Sequence, residues 1–214
     1  MKTLNKVFFV ILLSMVTIGF VNAQNIKFGL KGGLNTSSVS GFGDLVGALE
    51  GMGAEVGDFS TSYKPGFHLG VVAQIELGSL FLQPELLFSQ MGVTGKLEGE
   101  SENLNLNYLQ LPIYVGYKKS VGVGLDLLLG AGPYLGYGIS GSEETFGDDG
   151  MFKRIDAGLS FMGGIQFNNI QITLGYDLGL IDMVDAPGWN TAKDILGLSS
   201  ITNRNIKVSF AYFF

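Results

Sequence analysis

The chain has 214 residues, 33 glycines, no cysteine, 46% hydrophobic and only 15% charged residues, and a formal charge of −6. The missing cysteines exclude disulfides and thiolate metal centres, and an acidic balance without clustered Lys and Arg argues against a nucleic-acid partner. Many glycines and aromatics with few charges suit one all-β domain with tight turns.

Lys2 and Lys6 precede an apolar stretch from Val7 to Val21, and Val21-Asn22-Ala23 stands before Gln24. This is the charged, apolar and small-residue pattern of a secretory signal, and the run is shorter than the roughly 20 residues of a spanning helix. Residues 1–23 are therefore expected to be removed, leaving residues 24–214 as one mature domain. Losing Lys2 and Lys6 takes the formal charge from −6 to −8.

Eight runs with a period of two follow, near residues 26–35, 65–77, 80–91, 104–117, 125–139, 155–167, 170–180 and 204–214. Each matches the roughly 9–11 residues of a transmembrane strand. Tight connections are expected at Gly78-Ser79, around Ser120-Val121-Gly122 and at Asn168-Asn169, and long ones elsewhere. Short turns on one side and long loops on the other predict an eight-stranded antiparallel transmembrane β-barrel of the outer-membrane type, with both termini periplasmic. The closing strand, Ile206 to Phe214, ends on an aromatic residue and would pair with strand one, since an unpaired edge of this kind recruits other chains.

The pattern also assigns faces. Phe28, Leu30, Leu69, Val71, Leu129, Phe161, Leu174, Val208 and Phe210 fall on one parity with the other large apolar residues of their strands. The opposite parity carries Lys27, Lys31, His68, Gln74, Glu76, Gln83, Glu85, Asn107, Gln110, Asp156, Gln166, Gln171, Asp177 and Lys207. A soluble barrel is apolar inside, so this inverted sense predicts lipid outside and a polar plug inside. Two pairings are expected within that plug, Lys27 with Glu76, and Lys31 and Lys207 with Asp177. Tyr117, Phe167, Tyr212 and Phe214 are expected to form a periplasmic aromatic girdle, with Phe67, Phe88, Tyr137 and Tyr176 toward the outer one. Pro84, Pro112 and Pro133 lie inside strands, where bulges or interrupted pairing are expected.

Leu82-Gln83-Pro84-Glu85-Leu86-Leu87-Phe88-Ser89, Tyr108-Leu109-Gln110-Leu111-Pro112-Ile113-Tyr114, Gly130-Ala131-Gly132-Pro133-Tyr134-Leu135-Gly136 and Asp156-Ala157-Gly158-Leu159 resemble the PorT-like porin family of outer-membrane β-barrel proteins. The resemblance covers nearly the whole of residues 24–214 and implies a small porin-like barrel. One named member of that family is associated with a protein-secretion system.

Function is less legible. Gly136-Tyr137-Gly138-Ile139-Ser140-Gly141 spells a dinucleotide fingerprint, but Glu143, Glu144 and Gly147-Asp148-Asp149-Gly150 follow where a helix would be needed. His68 is the only histidine, and with Ser89, Glu85 or Asp156 it would be the centre of a surface lipid or peptide hydrolase. Acidic loop residues (Asp44, Glu50, Glu55 and Asp58; Glu98, Glu100 and Glu102; Glu143, Glu144, Asp148 and Asp149) have the oxygen chemistry of a divalent-cation site without the spacing of one. Loops 36–64 and 181–203 include two stretches able to turn helical, Asp44–Met52 and Thr191–Leu198, and Trp189. They either bind partners or cap the mouth. No catalytic, cofactor or metal site is assigned. The expectation is a non-enzymatic envelope role in structure, adhesion, or secretion and assembly, with outer-membrane lipid, lipopolysaccharide and an envelope or secretion-system protein as partners. A solute-passing porin and the His68 hydrolase are the alternatives.

Overall fold

The computed structural model describes residues 26–40, 62–97, 100–140, 153–182 and 200–214. The expected signal peptide, most of loops one and four with Trp189, and the acidic residues Glu98 and those from 143 to 149 lie outside them. The described chain forms β1 (Ile26–Ser40), β2 (Ser62–Leu77), β3 (Leu80–Leu97), β4 (Glu100–Gly122), β5 (Leu125–Ser140), β6 (Ile155–Phe167), β7 (Ile170–Gly179) and β8 (Thr202–Phe213). All neighbours are antiparallel, and β8 closes onto β1 from Gly29↔Phe213 to Ser40↔Thr202.

The register fixes the shape. The row Ile26, Ile75, Leu82, Val115, Ala131, Phe161, Tyr176, Ile206 returns to β1 at Thr36, ten residues above its start. With eight strands, a spacing near 4.8 Å and a rise near 3.3 Å per residue, that shear tilts the strands by roughly 40° and leaves a lumen that side chains can fill. Three two-residue turns gather at one end, Gly78-Ser79, Val123-Gly124 and Asn168-Asn169. Gly78 and Gly124 have φ of 68° and 70°, and Asn168 has 51°, values that glycine and asparagine tolerate best. This turn end is tied together by Asn168 N–H donating to Gly124 O at 2.9 Å and Phe214 N–H donating to Phe28 O at 2.9 Å.

The inverted polarity is present. Leu30, Leu34, Leu69, Leu129, Leu174 and Phe210 are exposed, while Lys31, Gln74, Gln83, Glu85, Asp177 and Lys207 are buried. All eight expected strands form, although several run further than the apolar alternation suggests. β3 and β4 continue together to Leu97↔Glu100, so Glu100 and Glu102 are in a strand rather than a long second loop. Backbone ladder bonds need no apolar side chains, and polar residues such as Asn103 and Asn105 can extend a hairpin beyond the lipid. The same reason carries β1 to Ser40 and starts β2 at Ser62 and β8 at Thr202, which narrows loop 36–64 from both sides and loop 181–203 from its β8 side.

Other expectations need correction. The β4–β5 turn is Val123-Gly124, two residues beyond the expected place, because β4 continues to Gly122. Asn107 lies between inward Leu106 and Tyr108, so it takes the outward parity of Leu109 rather than joining the plug. Tyr176 is followed on its outward face by Leu178 and Leu180, so it lies within the apolar band instead of at its rim. Phe67 and Phe88, with ring centroids 5.9 Å apart, do pack together nearer the loop end. At the prolines the pairing is interrupted with the register kept: β2–β3 contacts skip from Val72↔Glu85 to Ile75↔Leu82. β4–β5 contacts likewise skip from Pro112↔Tyr134 to Val115↔Ala131. The bulges sit elsewhere, between Tyr63 and His68, between Asn107 and Tyr108, and between Ser120 and Gly122.

Candidate functional site: the barrel interior

Inward side chains stack in levels from the turn end to the loop end. At the turn end Glu76 Oε1 accepts from Lys27 Nζ and Lys118 Nζ, each at 2.8 Å, and Lys118 also lies 3.3 Å from Asp126. Ser120 donates a short hydrogen bond to Asp126. The expected Lys27–Glu76 pair is therefore one end of a four-residue ionic chain, and Lys118 and Asp126 are members that the alternation pattern did not single out.

A glutamine level follows. Gln83 and Gln171 exchange amide bonds at 3.2 and 3.1 Å, Gln74 donates to Gln83 at 2.9 Å, and Gln166 reaches the backbone oxygen of Asn168 at 3.2 Å. Phe81, Tyr114, Leu128 and Met162 pack beside it as an apolar cluster. Sequence reasoning missed these large inward residues because it searched the inward parity for polar groups. Their signal was the glycine opposite them: the Phe81 ring occupies the space that side chains at Gly116 and Gly130 would take.

The middle of the barrel holds two buried ion pairs. Lys31 Nζ lies 2.6 Å from Glu85 Oε1, and Lys207 Nζ lies 2.9 Å from Asp177 Oδ1. Asp177 is the expected partner for Lys207, whereas Lys31 turns to Glu85. Gln83 donates to the same Glu85 oxygen at 2.7 Å, which joins this pair to the glutamine level. Asp177 further accepts from Ser160 at 2.5 Å and Asn205 at 3.2 Å, and Ser160 lies 2.7 Å from the Tyr114 hydroxyl. Lys31 Nζ stands 5.9 Å from the centroid of the Tyr114 ring, so the two pairs meet around that tyrosine. Buried charges are tolerated where each is paired, and here each has its partner: Asp177 accepts from Ser160 and Asn205 besides Lys207, while both contacts to Glu85 converge on Oε1 and Oε2 has no hydrogen-bond partner among the described residues.

Toward the loop end, Asn35 donates to Ser89 Oγ at 3.2 Å and to Gln90 O at 3.1 Å. Asp156 Oδ2 accepts from Tyr134 and Asn203, both at 3.1 Å. These contacts separate the residues of the expected hydrolase. His68 Nε2 lies 2.9 Å from the hydroxyl of Ser209, a serine the sequence reading did not name. Its named neighbours are engaged elsewhere: Ser89 with Asn35, Glu85 with Lys31, and Asp156 with Tyr134 and Asn203. His68 Nδ1 has no hydrogen-bond partner among the described residues, so no carboxylate orients the ring as a triad requires. Among those residues no group of three or more His, Cys, Asp or Glu is placed to hold a metal ion. The stretch Gly136–Ser140 is strand, the end of β5, and the residues that follow lie outside the described ones.

A closed eight-stranded barrel, apolar outside and ionic within, belongs to the membrane-spanning β class. Residues 22–185 match the family model for the outer membrane protein beta-barrel domain, and the chain belongs to that family. β8 lies beyond the match. Similar solved structures include Neisserial surface protein A, with 13% identity over 87% of this chain and 97% of that one and a TM-score of 0.47. The outer membrane protein OprG from Pseudomonas aeruginosa has 14% identity over 88% and 95%, with a TM-score of 0.46. Ail, the attachment invasion locus protein of Yersinia pestis, has 15% identity over 89% and 100%, with a TM-score of 0.39. None of the curated proteins matches the chain.

Proposed function

We propose that this protein is a non-conducting, non-enzymatic outer-membrane barrel of the PorT-like kind that acts through its loops, as a structural or adhesive element or as a partner in secretion or assembly. The observation that carries the reading is the filled lumen. Gln83 on β3 and Gln171 on β7 exchange hydrogen bonds across the barrel, and the buried ion pairs Lys31–Glu85 and Lys207–Asp177 fill the lumen beside them. Opening a path would separate buried charges, a change that costs several kcal/mol. A scaffold of this kind offers function only at its rims, and the longest connections are the ones around residues 41–61 and 183–199. In this reading residues 1–23 are a signal peptide, the three tight turns and both mature termini face the periplasm, and the loops face outward.

Folded protein inserted into planar bilayers tests it. No discrete conductance steps are expected, and steps that scale with solute size would establish a porin instead. Deletion of residues 183–199 should abolish capture of an envelope partner from outer-membrane extracts while leaving the heat-modifiable gel mobility of the barrel unchanged.

A further inference from the structure

On the outward wall of β5 and β6 the side chains shrink to Ala131 and Gly163, with Leu129, Phe161, Leu174 and Tyr176 standing around them. This leaves an open apolar trough of about 650 Å³ whose floor includes the backbone of Gly130 and Gly175. It follows the row Ala131, Phe161, Tyr176, Ile206 toward the loop end. Arg204 lies two residues beyond Ile206 on the same exposed face of β8. The chain has only two arginines, Arg154 and Arg204. Both are exposed, at the loop-side ends of β6 and β8, on either side of β7.

We propose that the trough and Arg204 together form a binding site for a phosphorylated acyl lipid of the outer leaflet, the lipid A part of lipopolysaccharide. An acyl chain occupies the trough between Ala131 and Gly163, and a phosphate meets the guanidinium of Arg204. The inference rests on the orientation proposed above, with the loops outward. A concave apolar surface gives an acyl chain contacts on more sides than a convex barrel wall does. Arginine's planar fork suits phosphate oxygens, and its position at the edge of the apolar band is where a headgroup would lie. Charge distinguishes this occupant from a second copy of the chain, because the outward residues of β5 to β8 include no carboxylate that could meet Arg204.

Native mass spectrometry of the full folded protein in detergent, with added lipid A, tests the site. Wild type should retain lipid A in preference to its dephosphorylated form and to phosphatidylglycerol. Arg204→Ala should lower the bound fraction by about five-fold or more, with Arg204→Lys between the two, because a lysine keeps the charge and loses the fork. Gly163→Leu should fill the trough with a similar loss. That variant should still fold, since a Cβ at Gly163 meets nothing closer than Leu128 O and Leu129 Cδ1 at 3.8 Å. Unheated gel mobility confirms that each variant is a barrel. Equal retention by wild type, Arg204→Ala and Gly163→Leu, equal retention of the dephosphorylated lipid, or equal retention of phosphatidylglycerol would each overturn the proposal. So would a dimer that Gly163→Leu dissociates, which would assign the trough to a second copy. Protease access to the loops on intact cells reports the orientation separately, so its failure is distinguishable from failure of the lipid site.

Discussion

Lys31 on β1 meets Glu85 on β3 at 2.6 Å although β2 runs between their strands. The residue opposite Lys31 on β2 is Gly70, which puts no side chain between the two strands at that level. Both charged side chains are almost fully buried, at 4% and 0% exposure. Removing one partner leaves a buried charge alone, whereas removing both leaves packing. Lys31→Met should therefore destabilise the barrel by about 3–5 kcal/mol, and Lys31→Met with Glu85→Leu should recover most of the loss. Urea unfolding in lipid vesicles reads the difference. A single variant within about 0.5 kcal/mol of wild type would mean that the pair does not hold the plug together.

Gly70 has a second role. A Cβ at that position would run into the backbone oxygen of Leu86 on the adjacent strand, a neighbour that cannot move without shifting the ladder. Gly70→Val adds bulk in the path of Lys31 as well. The expected cost is at least about 1–3 kcal/mol, seen as a loss of the fast-migrating unheated species on gels. If Gly70→Val folds as wild type does, Lys31 must reach Glu85 by some route other than the space over Gly70.

Leu174 and Leu77 are equally exposed, at 61% and 63%, but lie at different depths. Leu174 is four residues into β7 on the wall of the trough, and Leu77 is the last residue of β2, beside a turn. In water, arginine at either position would be nearly neutral. In a bilayer, Leu174→Arg should cost about 2–4 kcal/mol and Leu77→Arg about 0–1 kcal/mol. Vesicle unfolding of the two variants compares them directly. Equal and small costs would place solvent, not lipid, against this wall.

What could be read from the chain follows from the period of two. Alternation places each residue on a face without any knowledge of its neighbours, so the inward positions of Gln83, Glu85, Asp177 and Lys207 were accessible from sequence. Pairing was less so, because it depends on shear. Lys27 and Glu76 lie near one turn and were matched by counting, but Lys31 reaches past a glycine to the next strand, which depth alone does not indicate. The inward aromatics Tyr108, Tyr114 and Tyr134 were missed because a search for polar groups passes over a phenol ring. The extended β3–β4 hairpin was missed because its ladder is built by backbone groups that leave no apolar signature.

His68 is almost wholly buried, and a side chain placed on Gly33 would meet its Cε1 atom, so the ring is packed against the β1 backbone as well as bonded to Ser209. A nucleophile or base so enclosed has no approach for a lipid or peptide, and its second nitrogen has no carboxylate among the described residues. His68→Ala should therefore act on stability, lowering it by about 1–3 kcal/mol as the Ser209 hydroxyl loses its partner. The rate at which short-chain esters and phospholipids are hydrolysed should sit at the no-protein baseline for wild type and variant alike. Hydrolysis by the wild type that His68→Ala removes, with unheated gel mobility unchanged, would sink the non-enzymatic reading. It would also require the interior to open in a way that the packed ring, the ion pairs and the glutamine level all oppose.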